Sequence, residues 1–201
     1  MRQRLGCRLA AGAVALALCV SLAACGGGGA SGEPDEAAET TEQTSTTEPP
    51  ATTTTVDQQA QALADAEAAY FAYEEAYLAA AADPVDPQHP ELQALITDDQ
   101  RIYLNGKLGS DLAAGEAVRP AEPSQFSSEV LSSTLQADGS VLLVVCRVDD
   151  RVVYKVATGE VVNDAVATST VDTVMVNDSG AWKVSSTTAV ARTPGVASCT
   201  G

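Results

Sequence analysis

Hydrophobic and polar positions divide the 201-residue chain into regions of different grammar. Residues 9–22 are an almost uninterrupted apolar run of Ala, Leu and Val. Residues 26–55 hold almost nothing apolar larger than Ala: the run Gly26 to Gly29, then many Thr and Glu, and Pro49-Pro50. Such a composition cannot bury enough surface to offset the entropy of ordering, so a disordered tether is expected there. Over residues 57–82 the apolar positions take up a helical period. Leu63, Ala66, Tyr70, Phe71, Tyr77, Leu78 and Ala81 fall on one face, with acids on much of the rest. Asp57 is placed to cap this helix and Asp83-Pro84 to end it, because a residue before proline is pushed out of the α region.

Pro84, Pro87 and Pro90 mark a bent connection, and His89-Pro90 opens a short helix to about Ile96. Thr97-Asp98-Asp99-Gln100 has the capping-box pattern and opens a further helix to about Ala114, with Leu104, Leu108 and Leu112 on one side and Gly115 as its stop. Residues 119–123 read as turns. From Phe126 the chain turns to Val, Thr and Ser, broken by turn signals, and strands are expected near 126–136, 141–149, 151–157, 164–177 and 181–191. Asp138-Gly139 and Asn177-Asp178-Ser179-Gly180 are hairpin signals. Residues 141–145 are apolar at every position, which marks a central strand. Val166 and Val174 share a parity that Val171 and Met175 do not, which predicts a bulge or bend in the long strand. The pattern defines an α+β fold: a long N-terminal helix and shorter helices on a curved antiparallel β-sheet.

Charge adds location to this picture. The chain carries 11 Lys and Arg against 27 Asp and Glu, a formal net charge of −16. Every acid follows Cys25, whereas Arg2, Arg4 and Arg8 precede the apolar run. Nucleic acid and anionic headgroups repel so acidic a chain, and no basic stripe reverses the sign, so nucleic-acid binding is excluded. A basic start followed by an apolar run of about 14 residues is a signal-peptide pattern and too short for a bilayer span of about 20. The run ends in Leu22-Ala23-Ala24-Cys25, which resembles the lipobox of bacterial lipoprotein signal peptides. That resemblance implies cleavage before Cys25, a diacylglyceryl group on its sulfur, and a domain held on the extracytoplasmic side of the cell membrane. Two acyl chains anchor stably where one does so only marginally. The bland alternative is ordinary cleavage with no lipid. The expected organisation is a signal over 1–24, a lipidated start and linker over 25–55, and one α+β domain over 56–201.

The remaining chemistry is sparse. Cys7 and Cys19 lie in the signal and Cys25 is the lipidation candidate, which leaves Cys146 and Cys199. An even pair in an exported protein favours a disulfide, with two buried free thiols as the alternative. The single histidine, His89, cannot complete a four-ligand zinc site with two cysteines, so no metal is expected. No nucleophile elbow, Walker loop or dinucleotide fingerprint is present in the sequence, and no cofactor is expected. Asp149-Asp150 reads as a charged turn between Arg147 and Arg151, and Glu74-Glu75 and Asp98-Asp99 as solvated faces. Tyr70, Tyr73 and Tyr77 share a helix flank and, with Trp182 from the sheet, are the candidates for lining a pocket; plain core packing is the alternative reading.

His89-Pro90 with Leu92, the run from Val145 to Asp150, Thr158-Gly159-Glu160, Gly180-Ala181-Trp182-Lys183-Val184 and the terminal Cys199 together resemble the small exported NTF2-like (SnoaL-like, cystatin-like) proteins of high-GC bacteria. The resemblance spans residues 57–199. It implies a strongly curved sheet wrapped round the long helix and a Cys146–Cys199 pair. The fold hosts both enzymes and non-catalytic modules, and the first expectation is a non-catalytic module that binds a small apolar ligand or a partner protein. An isomerase- or cyclase-type enzyme is one alternative. The other is a structural envelope protein whose copies associate, as a homodimer, through the sheet face.

Overall fold

The computed structural model describes residues 53–199, with side chains from residue 56. The signal, Cys25 and most of the linker lie outside the described residues. Three helices come first: α1 (Thr53–Ala81), α2 (Pro90–Ala94) and α3 (Asp98–Ala113). Seven strands follow: β1 (Glu116–Arg119), β2 (Ser127–Leu135), β3 (Val141–Asp149), β4 (Val152–Lys155), β5 (Val161–Asn163), β6 (Ala167–Asp178) and β7 (Ala181–Pro194). The expected α+β class holds. Where one sheet was expected there are two, a four-stranded sheet in the order β2-β3-β6-β7 and a three-stranded sheet in the order β1-β4-β5, every pairing antiparallel.

The all-apolar run places β3 at the centre, between β2 and β6. Val141, Leu143 and Val145 are fully buried opposite Met175, Thr173 and Val171. Against this inner face lie Ala66, Tyr70, Tyr73, Ala76 and Ala80 of α1, Leu92 and Ile96 at α2, and Leu104 and Leu108 of α3. Three to four residues separate the α1 members, the spacing of a single helix face. Phe71 falls outside that stripe and is exposed, and Leu112 ends the α3 stripe in solvent, both against expectation.

Local signals fared unevenly. Ser179 and Gly180, the central residues of the β6–β7 turn, both have positive φ, as a two-residue type I′ hairpin requires. The bulges lie not in β6, which pairs with β3 without a break, but in its partner: Ser185 and Val190 are the extra residues of β7. A third bulge, at Leu131, interrupts β2. All three sit on the edge strands of the four-stranded sheet, where extra residues bend a strand and spoil it as a template for other chains. Helix α1 starts at Thr53, so Asp57 is not its cap. Thr97 makes no side-chain cap to α3, and Gln100 turns inward and is buried, so the capping box does not form. Backbone bonds from Thr97 to Val184 (3.0 Å) and from Val184 to Leu95 (2.8 Å) tie the helix entry to β7 instead.

Two constraints close the domain. Cys146 and Cys199 form a disulfide across 53 residues of sequence, with Cα atoms 5.6 Å apart. Cys146 faces away from the helices, so the bridge holds the C-terminal tail on the outer face of the sheet. There the Thr168 hydroxyl donates to the Gly195 carbonyl and accepts from the Ala197 amide, each at 2.9 Å. At this same end of the sheet the chain passes from β3 into β4 and so from one sheet to the other. Ser124 and the Gln125 amide donate to the buried Asp150 carboxylate at that corner, and Asp149 pairs with Arg151.

Candidate functional site

The sheet corner decides what the inner face presents beyond the apolar core. Odd positions of β3 point inward, and after Val141, Leu143 and Val145 the next is Arg147. Arg147 therefore enters the space under α1, where Glu74 receives its Nη1 at 3.3 Å. Glu74 itself is only 5% exposed. Four residues after Tyr70 and three before Tyr77, it occupies the buried stripe of α1 and not the solvated face expected for it. In the corner itself, Arg151 turns the same way. Its Nε and Nη2 bond the two oxygens of Asp149 at 2.7 and 2.5 Å, and its guanidinium carbon lies 5.4 Å from the centre of the Tyr77 ring.

These groups border an open cavity of about 320 Å³ between α1, α3 and the inner face of the sheet. Tyr73, Tyr77, Tyr103 and Leu104 supply its apolar wall, and Arg147, Arg151, Lys107 and Arg192 its basic wall, with Glu74 between. A second space of about 200 Å³ adjoins it and shares Tyr77, Lys107, Arg151 and Arg192. Three buried atoms at this site, Glu74 Oε2, Arg147 Nε and Arg151 Nη1, have no hydrogen-bond partner among the described residues. An unpaired buried polar atom costs roughly 1–3 kcal/mol, so such atoms mark either strain or a site for polar contacts.

Of the four aromatic candidates, the structure brings Tyr73 and Tyr77 to the cavity, ring centres 6.4 Å apart. Tyr70 is buried in the core beneath them, and Trp182 packs on the core from the start of β7 without lining the cavity. Burial first, and then the charge of Glu74, push the Tyr70 and Tyr73 phenols well above their ordinary value of 10.0. Raised values mean that folding holds both phenols neutral. Their contribution is complete below pH 10, where the unfolded phenols are also neutral, and is lost as pH rises beyond it. Unfolding above pH 10 therefore releases up to two extra protons, and stability falls by up to about 2.7 kcal/mol per pH unit. The expected result is that the Tyr70 and Tyr73 share of tyrosinate absorbance appears only together with loss of the folded circular-dichroism signal. Their ionisation in a still-folded protein at pH 11 would refute it.

A wider opening of about 390 Å³ lies beside the 120–125 loop, β4 and β5. Two of its charges are engaged, Asp150 by Ser124 and Gln125 and Arg119 over the Tyr154 ring at 5.1 Å, and the other two, Glu122 and Asp164, are both acidic. His89 lies at the entry to α2 and borders neither opening. Glu74 and Arg147 were missed in sequence. The signals that reveal them are their positions, one on the α1 spacing and one on the β3 parity.

Fold and site together define a small α+β domain with helices on the inner face of an antiparallel sheet and a mixed tyrosine–arginine cavity between them. No family model and no curated protein matches the chain. Among solved structures, it is similar to the intermembrane space region of the chloroplast protein ARC6, with a TM-score of 0.51 and 14% sequence identity over 64% of this chain and 96% of that one. At that identity the likeness concerns the fold.

Proposed function

We propose that the chain is an extracytoplasmic lipoprotein whose NTF2-like domain is a non-catalytic binding module, with the tyrosine–arginine cavity as its ligand site. The observation that carries this reading is the open space of about 320 Å³ between the helices and the sheet, at the small end of the usual ~300–1,000 Å³ range of ligand pockets. The lining shifts the proposed ligand from a purely apolar molecule to one with an apolar body and a polar group. Glu74, the one carboxylate on the lining of this cavity, already accepts from Arg147 through Oε1 at 3.3 Å, which favours binding over catalysis. The disulfide supports an oxidising compartment, and the signal pattern ending at Cys25 supports a lipid anchor.

Native mass spectrometry of the full chain, purified gently from its own host, tests both parts. The expected spectrum shows a diacylglyceryl increment on the peptide beginning at Cys25, and a discrete added mass that leaves on denaturation. A bare monomer that takes up nothing from a host metabolite extract would overturn the ligand reading. A dimer mass would move the function to the outer sheet face.

A further inference from the structure

The distribution of cations in this acidic chain is uneven in a way that points to a ligand class. Three of the 11 Lys and Arg precede residue 9, and of the eight that follow, four line the cavity and its adjoining space: Lys107, Arg147, Arg151 and Arg192. They come from α3, β3, the sheet corner and β7, so no local run of sequence brought them together. Glu74 and Asp149 are the two acids among the linings, which leaves the walls with an excess of positive charge inside a protein of net charge −16.

The cations are not equally committed. Glu74 holds Arg147 and Asp149 holds Arg151, while Asp111 holds Lys107 at 2.7 Å on the outer rim. Among the described residues Arg192 has no carboxylate within ion-pair distance. Among the described residues Arg151 Nη1, which is buried, also finds no partner after the two bonds that its Nε and Nη2 make to Asp149. Arg192, Arg151 and Lys107 converge where the two spaces meet, with the Tyr77 ring beside them. Guanidinium groups match carboxylate and phosphate geometry, and low-dielectric walls concentrate the field of a cationic recess. The apolar wall of Tyr73, Tyr77 and Leu104 is contiguous with this cationic edge.

Building on the binding-module reading, we infer that the cavity is a site for small organic anions, which place a carboxylate or similar group between Arg192, Arg151 and Lys107 and an apolar, ring-sized body against Tyr73 and Tyr77. Charge and body are both needed. A neutral isostere loses the cationic edge, and a bare anion loses the tyrosine wall. A protein this acidic repels anions over most of its surface, so the recess selects by position as well as by sign.

The test is calorimetric titration of the full chain with benzoate, benzamide and inorganic phosphate as probes, in wild type and two variants. Arg192→Glu reverses the least committed cation at an exposed position of an edge strand. Lys183→Glu makes the same change in net charge on the outer face of the same strand. Benzoate is expected to bind at least tenfold more tightly than benzamide or phosphate. Arg192→Glu is expected to weaken benzoate at least tenfold and Lys183→Glu by less than twofold. Equal binding of benzoate and benzamide would overturn the anion assignment and leave the cavity as a ligand site. Phosphate binding as tightly as benzoate would overturn the organic class. Equal losses in both variants would reduce the effect to net charge and overturn the site. If no probe binds and the native mass shows no adduct, this inference and the binding-module reading fall together.

Discussion

Replacing Cys146 and Cys199 together by alanine is expected to lower domain stability by about 4 kcal/mol. The bridge closes a loop of 53 residues, and in the chain-entropy model a loop of that size restricts the unfolded ensemble by about that amount. For a domain of this size the loss corresponds to a fall in melting temperature of roughly 8–16 °C. The folded state contributes less to the difference, because the tail keeps the Thr168 bonds to Gly195 and Ala197. Truncation after Pro194 separates the two effects. It removes the tail and its bonds along with the bridge, so it should cost more than the double substitution, and the excess measures what the tail contacts contribute. Thermal and denaturant melts of the three proteins check this. A double-alanine variant that melts within 2 °C of wild type would show that the loop is already restricted in the unfolded chain.

How far the molecule was legible in its sequence depended on the range of the cause. Features set by neighbours in the chain were readable: the uninterrupted apolar run of β3, the positive-φ turn at Ser179-Gly180, and the end of α1 before Pro84. Strands β1 and β5 escaped because four and three residues cannot display a period, and all three residues of β5 are exposed. They exist because β4 leaves the larger sheet at the Asp149–Arg151 corner and needs partners of its own. The capping box at Thr97 failed for a related reason. The inner face drew Gln100 into the core, and backbone pairing with Val184 fixed the helix entry instead.

The candidate site was half legible for the same reason. Tyr73 and Tyr77 were visible as a ring-bearing helix flank, but sequence placed Trp182 beside them when the hairpin carries it elsewhere. Glu74 reads as half of an acidic pair until the helix phase is followed strictly, and then it falls between Tyr70 and Tyr77 on the inward stripe. Arg147 reads as part of a charged turn until the β3 parity is followed one step further. A charge at an inward position looks like an error in the pattern when each element is taken alone. It becomes intelligible only when the sheet brings the opposite charge to it across 73 positions.

That pairing sets the second large effect. Arg147→Met alone is expected to destabilise the domain by about 3 kcal/mol, because it leaves the Glu74 carboxylate, 5% exposed, without its countercharge. The figure belongs at the low end of the ~3–5 kcal/mol range for broken buried pairs, since the Arg147 side chain retains 24% of its exposure and water reaches the site. Adding Glu74→Met to that variant removes the stranded charge and replaces the pair by side chains of similar volume. Stability should then return to within about 1 kcal/mol of wild type, since the desolvation of two ions offsets most of their attraction. The same double variant bears on function. If the pair serves mainly to hold polar groups at the cavity, the double variant folds normally and loses affinity for benzoate. If the pair is only a tolerated defect of the core, stability and affinity both survive. Should Arg147→Met alone prove no less stable than the double variant, the Glu74 charge is solvated in the folded protein, and the cavity reaches deeper along α1 than its walls now indicate.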